Sequence, residues 1–436
     1  MTASSTSTGS TGSTASTGST ASVASASTAV EPMNLKIPIT GVVVFLLQGL
    51  MALSARGSTT FRFTVPSDFF QFEDSTLNAR LIILIAAGIV AAVTAVALVR
   101  AMHRREGTAW VSVLMGVGFV VAFLAWAGAG RNGVIPLVTI LSSALGLSVP
   151  LVYGSLAGII GERSGTINIA IEGQLLGGAF LGAVVASACS SPWAGLFAAP
   201  VAGVLVALLL ALFGLRYRVN QIVVGVVLNV LVSGLTGFLF STFLSSSPSL
   251  NRALRLPTLA VPILSRIPII GPVLFRQTIL VYLMYVAVAV LSAMLFRSRW
   301  GLRLRACGEH PKAADTVGIN VMRTRVANLA LAGALAGLGG AFFTVGSGLS
   351  FDNDMTAGNG YIALAAMILG AWRPLGSLGA ALLFGFATSV AQTLPIIGSS
   401  VSPDIISMIP YIVTILAVAG FVGKVRAPAA EGVPYP

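Results

Sequence analysis

Charged side chains are scarce in this chain. Asp, Glu, Lys and Arg make up only 9% of its 436 residues, and 56% are hydrophobic, whereas roughly a quarter of an ordinary soluble domain is charged. So little charge cannot cover the surface of a water-soluble protein of this length. The composition therefore excludes a soluble enzyme and indicates an integral membrane protein.

Residues that bind metals or form disulfides are also few. The two cysteines, Cys189 and Cys307, lie in a hydrophobic stretch and in a polar segment, which does not support a disulfide framework or a metal site. The two histidines, His103 and His310, lie in separate polar loops and form no cluster with metal-ligand spacing. We therefore expect no catalytic, cofactor or metal site on this chain.

A nucleotide-binding P-loop is missing as well. That motif requires a Gly-Lys pair followed by Ser or Thr, and the only Gly-Lys pair, Gly423-Lys424, is followed by Val425. Any ATP hydrolysis that drives this protein must come from another polypeptide. The net charge of +12 could suit nucleic acid, but the basic residues are scattered through short segments without interleaved aromatics, so we expect no nucleic-acid partner.

Long hydrophobic windows fill most of the chain. A membrane-spanning helix needs about 20 apolar residues, and these windows lack the alternation of barrel strands, so helices are predicted. The predicted fold is all-α and polytopic, with about 10–12 transmembrane helices, several of them short or broken by Gly and Pro. The windows cover residues 37–53, 81–99, 109–127, 135–158, 168–189, 193–213, 222–243, 278–296, 327–345, 361–371, 376–393 and 405–422.

The composition of the two ends differs from that of the middle. Residues 1–34 are rich in Ser, Thr, Ala and Gly and lack the apolar core of a signal peptide, so we expect a disordered cytoplasmic tail. About three spans follow in residues 35–130, then a main membrane domain in residues 131–423. Residues 424–436 are expected to form a short cytoplasmic tail.

The distribution of basic residues predicts the orientation. With the N-terminus inside and alternating spans, 17 of the 25 Lys and Arg residues fall in the cytoplasm, as the positive-inside rule requires. The protein is then a multi-pass protein of the cell membrane with both termini cytoplasmic. Two long segments, 54–80 and 244–277, become external loops that are either binding surfaces or simple connectors.

One polar segment, residues 297–325, interrupts the hydrophobic pattern and holds nine charged side chains. Pro311 suits the first turn of a helix and Gly318 suits its end, so about two helical turns with small alanines are predicted between them. The segment is either a cytoplasmic docking surface or a solvated loop with a stray helical turn.

Polar residues also occur inside the predicted spans, where they are costly and usually functional. Glu172 lies in such a stretch with Asn168 and Gln174, and either faces a pathway at a helix break or ties two helices together. Asn229 could serve a pathway or an interhelical bond in the same way, and Asn220 and Gln221 begin its window.

A third polar stretch precedes a short apolar window. Asp352 and Asp354 come before an apolar segment of only about eleven residues, which breaks at Arg373-Pro374. Short, interrupted segments line cavities in transporters. The alternatives are a half-helix and a short tilted helix with an acidic outer loop.

The polar segment resembles the coupling helix in the permeases of bacterial ABC importers, which carries Glu-Ala-Ala, three residues and Gly. Here the run from Lys312 to Gly318 has that spacing, with Lys in place of Glu. A closer resemblance, over about residues 135–422, is to the branched-chain amino acid, ribose and nucleoside permease group, and within it to nucleoside-type "simple sugar" permeases. It rests on GERSGTINIAIEGQLLGGAF (161–180), NQIVVGVVLNVL (220–231), GLRLRACGEHPKAADTVGINV (301–321) and MTAGNGYIALAAMILGAWRPLGSLGAALLFG (355–385).

The resemblance implies a permease subunit of an ABC importer for a nucleoside or related small polar solute. It implies separate ATPase subunits, a second permease subunit of a different kind and an extracytoplasmic substrate-binding lipoprotein. The alternatives are a permease for ribose-like sugars or branched-chain amino acids, and an ion-gradient-driven secondary transporter. Residues 131–423 would be the permease domain with a coupling loop at 297–325, and residues 35–130 an N-terminal extension.

The polar residues and the resemblance together give two sets of candidate residues. Those expected to couple to the ATPase are Arg303, Arg305, Gly308, Glu309, Pro311, Lys312, Ala313, Ala314, Asp315 and Gly318. Those expected along the translocation pathway are Asn168, Glu172, Gln174, Asn220, Gln221, Asn229, Asp352 and Asp354.

Overall fold

The computed structural model describes most of the chain from Leu35 onward. The described residues are 35–66, 68–103, 109–131, 133–252, 254–396, 398, 402, 406, 408, 410–411, 413 and 426–435. The predicted tail at 1–34 and most of the window at 405–422 lie outside them.

Helices dominate the described residues, which confirms the all-α polytopic fold. Within them, ten helices are long and apolar enough to cross a membrane. They are α1 (Lys36–Ser54), α2 (Ala79–Met102), α3 (Ala109–Ala127), α4 (Leu137–Arg163), α5 (Ile171–Ala188), α6 (Pro192–Ala211), α7 (Gln221–Leu239), α9 (Ile279–Arg297), α12 (Val321–Gly340) and α14 (Pro374–Ile396). The shorter helices are α8 (Ile270–Leu274), α10 (Arg299–Glu309), α11 (Pro311–Thr316) and α13 (Asn359–Leu369).

Burial separates a central helix group from a peripheral one. In α4, 61% of the apolar window is buried within the chain, whereas in α1 only 22% is. A helix that is apolar on all faces is stable either in contact with lipid or inside the protein, because both surroundings are apolar. Helices α4, α5, α12 and α14 therefore form the centre, and α1–α3 pack on one flank with apolar side chains exposed.

Glycines allow the central helices to approach closely. A side chain at Gly333 of α12 would overlap the carbonyl of Gly203 in α6, and one at Gly340 would overlap the carbonyl of Leu175 in α5. Small residues at such crossings let backbones touch and gain van der Waals contact where no hydrophobic effect operates between helices.

Short strands order the two long loops, 54–80 and 244–277. Strand β1 (Ser58–Arg62) pairs antiparallel with β2 (Ser75–Asn78) and parallel with β3 (Val134–Pro136), while β4 (Thr258–Ala260) pairs antiparallel with β5 (Arg276–Thr278). The loops also touch, since the Phe69 N–H donates to the Arg266 carbonyl over 2.9 Å.

Two segments without regular structure connect central helices. Residues 164–170 connect α4 to α5, and Ser164, Thr166 and Asn168 within them are fully buried. A π-helical turn, Phe342–Gly346, follows α12, and residues 347–358, among which 352–354 are exposed, connect it to α13. Irregular backbone at membrane depth requires protein or water to satisfy it, so these two breaks locate the polar centre of the molecule.

Candidate functional site

The carboxylate of Glu172 joins the first turns of α5 and α13. Its Oε1 accepts hydrogen bonds from Thr356 Oγ1 at 2.6 Å and the Gly358 N–H at 2.9 Å, and Oε2 accepts one from the Gly360 N–H at 2.5 Å. Both helix N-termini present their positive dipole ends to this carboxylate. These bonds tie α5 to α13 through Glu172. The side chain is only partly buried.

Asn229 of α7 bonds to the same junction. Its Oδ1 accepts from the Gly173 N–H at 2.8 Å, and its Nδ2 donates to the Ile169 carbonyl at 2.9 Å and to the Tyr361 hydroxyl at 3.1 Å. One amide therefore holds the start of α5, the segment before it and the start of α13. We call the meeting of these three helices around Glu172 and Asn229 the junction.

The junction lies near the middle of α7. Asn229 is eight residues beyond the start of α7 at Gln221, which is about 12 Å at 1.5 Å per residue. The α13 helix has 11 residues and covers about 16 Å at the same rise. Both lengths are about half of a hydrocarbon core of about 30 Å, so α13 is the half-helix that the sequence offered as one alternative.

Asn168 and Gln174 pair with each other beside the junction. Each amide donates to the other's carbonyl oxygen at 3.1 Å, and both residues are fully buried. This reciprocal pair closes the turn between residue 168 and the first turn of α5. Gln221 is also buried, and its Oε1 accepts from the Ile167 N–H at 2.8 Å.

Asn220 lies apart from these residues. It is exposed at the start of α7, where its Oδ1 accepts from the Ile222 N–H at 2.9 Å as a helix cap. The structure does not bring its side chain to the junction.

The acidic residues lie along α7 on the other side of the junction. Asp354 accepts from Ser233 Oγ at 2.5 Å, and Ser233 is one turn beyond Asn229 on the same face of α7. Asp352 is exposed in the same segment and accepts from the Asn353 N–H. Charged side chains rarely face lipid, so this face of α7 and α13 opens toward water or another protein.

Sequence reasoning missed Tyr361 and Ser233. Tyr361 is 48% exposed beside its bond to Asn229. The four-residue spacing from Asn229 to Ser233 places both on one helix face, which was the signal that could have identified Ser233. No comparable signal marks Tyr361, because its contacts depend on where α13 enters the bundle.

At the opposite end of α13 lies the end of α4. Trp372 follows α13, and its Nε1 donates to Glu162 Oε2 at 2.6 Å, while Arg163 Nε donates to the Trp372 carbonyl at 2.8 Å. The α13 half-helix is therefore held at both ends, by Glu172 at its start and by Glu162 and Arg163 at its finish.

The coupling segment folds into two helices, α10 and α11, between α9 and α12. The α11 helix begins at Pro311, as the sequence predicts, and ends at Thr316. Gly318 has φ +83°, which favours glycine, and its N–H bonds to the Asp315 carbonyl at 2.9 Å.

The outer face of the segment is open. Lys312, Ala313, Asp315 and Gly318 are exposed around α11, and Val317 is 75% exposed. Arg303 and Glu309 of α10 are exposed as well, whereas Pro311 is partly buried. An exposed apolar Val beside charges of both signs suits a protein partner.

Other members of the coupling set face inward. Ala314 is buried against Cys307 and Val321, so of the two alanines only Ala313 is open to a partner. Gly308 packs so closely on the Arg163 carbonyl that a side chain there would overlap it. These two positions connect the segment to the bundle.

Arg305 is half-buried at the same contact. Its guanidinium lies 5.7 Å from the centre of the Phe296 ring, and that of Arg163 lies 5.5 Å from the same ring. Stacking of both cations on Phe296 joins the ends of α4 and α9 to α10.

No metal centre is found in the described part of the chain, where no three His, Cys, Asp or Glu side chains are grouped to hold an ion. The polar groups of the junction are bonded to one another instead. Its chemistry is that of neutral hydrogen-bonding groups and carboxylates next to an open face.

The chain resembles known permeases over most of their length. It is 38% identical over 309 residues to the guanosine ABC transporter permease protein NupQ of Bacillus subtilis, covering 68% of this chain and 96% of NupQ. It is 38% identical over 314 residues to the nucleoside ABC transporter permease protein NupC of Lactococcus lactis, covering 70% and 98%. The guanosine ABC transporter permease protein NupP of Bacillus subtilis is 23% identical over 297 residues, covering 66% and 84%.

No solved structure matches the chain. The family model described as the branched-chain amino acid transport system permease component matches residues 140–418. That range contains the junction and the coupling helices and begins after α1–α3. This chain therefore belongs to the family of branched-chain amino acid transport system permease components.

Proposed function

We propose that this chain is the permease subunit of an ABC importer that carries a nucleoside across the cell membrane. The observation that carries the substrate class is the similarity to NupQ and NupC, at 38% identity over more than nine tenths of each relative. Both relatives are named for nucleosides. ATP hydrolysis would belong to separate ATPase subunits.

The pathway in this proposal follows the open face of α7 and α13. Asp352, Asp354 and Tyr361 are exposed there, and they offer two carboxylates and one aromatic ring. Carboxylates accept hydrogen bonds from sugar hydroxyls, and an aromatic face stacks on any nucleobase. Glu172, Asn168, Gln174 and Asn229 would hold the backbone behind this face in position.

The coupling in this proposal begins at α11. The exposed turn from Lys312 to Gly318 would receive the movement of an ATPase subunit, and α10 would pass it to the end of α4 at the Gly308–Arg163 contact. Because α13 is bonded to that end of α4 through Trp372, movement there would reach the junction at Glu172. Import is then a two-state equilibrium biased from both faces of the membrane.

The remaining partners are part of the same proposal. The external loops around β1 and β4 would meet a substrate-binding lipoprotein, with both termini in the cytoplasm. A second, unlike permease chain would complete the pathway. Two unlike Bacillus subtilis chains that are similar to this one carry the same guanosine permease name, which supports an unlike pair.

Uptake of radiolabelled guanosine in cells that express the chain with its neighbouring transporter genes tests the proposal. We expect uptake that unlabelled nucleosides inhibit and that ribose, glucose and leucine do not. Inhibition of uptake by leucine alone would indicate a permease for branched-chain amino acids, and inhibition by ribose alone would indicate one for ribose-like sugars.

The energy source separates a primary from a secondary transporter. A P-loop Lys→Ala variant of the partner ATPase should abolish uptake while the membrane potential persists. Uptake that continues in that variant and stops with an uncoupler would identify an ion-gradient-driven carrier instead.

A further inference from the structure

The C-terminal segment, residues 426–435, packs against the coupling helices. The Ala430 N–H donates to the Gly308 carbonyl at 2.8 Å, and the Gly432 N–H donates to the Gly165 carbonyl at 3.2 Å. Gly308 belongs to α10, and Gly165 belongs to the buried loop between α4 and α5. Ala430 and Gly432 are two positions apart in the segment. They therefore bond to two different elements, α10 and the loop between α4 and α5.

The buried side chain of Arg325 in α12 also bonds to the C-terminal segment. The side chain is only 1% exposed, and it donates to the Val433 carbonyl at 2.8 Å, the Cys307 carbonyl at 3.4 Å and the Ala430 carbonyl at 3.5 Å. Burial of a guanidinium is costly unless its donors are paired. One buried cation thus depends on the C-terminal segment for two of these three acceptors.

The last described residue completes the contact. Tyr435 packs against the cluster of Cys307, Ala314 and Val321, and it lies near Asp315 of α11. Glu431 lies beside Glu162 at the end of α4. The segment therefore touches α4, α10, α11 and α12, together with the loop that leads to Asn168 and Glu172.

The segment leaves the outer face of α11 open. Lys312, Val317 and Gly318 remain exposed beside it. A segment that blocked an ATPase subunit would cover these residues, so the contacts favour a connecting role over an inhibitory one.

We propose that residues 426–435 are a brace that joins α10 and α11 to the loop between α4 and α5, with Arg325 as its positioning residue. The inference rests on the proposed function, because it adds a second route from the coupling helices to the junction. The first route runs through α10 and the end of α4. The brace adds the path from Gly308 through Ala430 and Gly432 to Gly165, three residues before Asn168.

Cys307 provides a direct readout of the brace. It is fully buried beneath Tyr435, and burial raises the pKa of its thiol, so both access and reactivity are low while the segment is docked. In a Cys189→Ser background, the rate of N-ethylmaleimide labelling in inside-out vesicles reports undocking.

Two variants with matched controls release the segment. Gly432 has φ +71° and a side chain there would overlap Ile167, so Gly432→Val should undock the segment, whereas Val433→Ala at an exposed side chain should not. Arg325→Ala removes three hydrogen bonds, and Arg323→Ala removes an exposed neighbour of the same charge.

The test measures labelling, co-purification of the ATPase subunit and uptake for the full complex in membranes. For Gly432→Val and Arg325→Ala we expect labelling at least tenfold faster, ATPase subunits retained and uptake at least tenfold lower, with both controls at wild-type values. Gly432→Val keeps the inference testable if Arg325→Ala fails to insert.

Other results would overturn the brace. Unchanged labelling in Gly432→Val would show that the segment is not docked, increased uptake would make it inhibitory, and loss of the ATPase subunit would make it part of the docking surface. Fast labelling with unchanged uptake would remove its role in transmission while the transport function stands. A wild-type complex that takes up no nucleoside would defeat the proposed substrate alone, since labelling and co-purification still report whether the segment is docked.

Discussion

The carboxylate of Glu172 accepts the Gly360 N–H at the start of α13, 188 positions away in the chain. The same side chain accepts two further hydrogen bonds from the segment that enters α13. Since both α5 and α13 begin here, one charged group stabilises two helix N-termini inside the membrane domain. The half-helix therefore depends on a residue of another helix for its position.

Replacement of Glu172 by Gln should loosen this junction. The amide has one acceptor oxygen, so either the Gly360 N–H or the pair at Thr356 and Gly358 loses its partner. Each unpaired buried donor costs about 1–3 kcal/mol. We expect a lower melting temperature of the detergent-solubilised protein and reduced uptake in cells.

The matched control is Asp352→Asn, because Asp352 is exposed and bonds only within its own turn in the described contacts. It should leave the melting temperature unchanged. Equal melting temperatures for Glu172→Gln and the wild type would contradict the structural role of Glu172.

Asn168 and Gln174 should behave as one unit. Asn168→Ala leaves the Gln174 amide buried and unpaired, at a cost of about 1–3 kcal/mol. The double variant Asn168→Ala with Gln174→Leu removes both polar groups and should recover part of that loss. A double-mutant cycle on thermal stability measures the coupling, and strictly additive effects would show that the pair is not energetically coupled.

A charged side chain at Gly318 should block coupling. The position has φ +83°, and a Cβ added there would meet no described atom within 4 Å, so Gly318→Arg adds its bulk at the exposed end of α11. We expect uptake to be abolished and membrane insertion to be intact. Uptake and surface expression are measured together.

Gly318→Ala separates backbone strain from bulk. It shares the unfavourable left-handed conformation, at a cost of about 1–2 kcal/mol, but adds only a methyl group. We expect uptake close to wild type. Similar loss in both variants would attribute the effect to strain rather than to a blocked docking face.

Docking of the C-terminal segment should weaken as pH rises. Burial raises the pKa of Glu431, and the neighbouring Glu162 opposes this only in part. The docked form therefore favours the protonated carboxyl, and its stability is fully present below the ordinary Glu range and is lost as pH rises through the raised pKa. The charged group of Arg325 also lies near, bonded to the carbonyls of Ala430 and Val433.

Cys307 labelling against pH measures this dependence. Thiol ionisation alone accelerates labelling as pH rises, so Glu431→Gln, which keeps a neutral side chain, supplies the baseline. We expect the wild type to rise more steeply than this variant. Parallel pH profiles would show that Glu431 does not control docking.

Much of the architecture could be predicted from the sequence. The apolar windows agree with α1–α7, α9 and α12–α14 to within a few residues, because about 20 consecutive apolar residues have no stable state other than a spanning or buried helix. Pro311 and Gly318 mark the ends of α11 because their effects act on the local backbone.

The partners of the polar residues could not be predicted in this way. The three donors to Glu172 come from the segment that enters α13, which nothing in the sequence near Glu172 indicates. Ala314 was expected to face a partner and instead packs on Cys307. These outcomes depend on contacts between residues far apart in the chain.

The C-terminal segment is another case in which the sequence does not show which residues a segment contacts. In sequence it is a short polar tail after the last apolar window, and nothing in its composition indicates a binding site for Arg325. Composition and local backbone chemistry determined that the chain is a multi-pass helical protein with a helical turn at 311–316. Only the tertiary structure decided which buried polar groups pair, because hydrogen bonds require partners at about 3 Å and chain spacing says nothing about that distance.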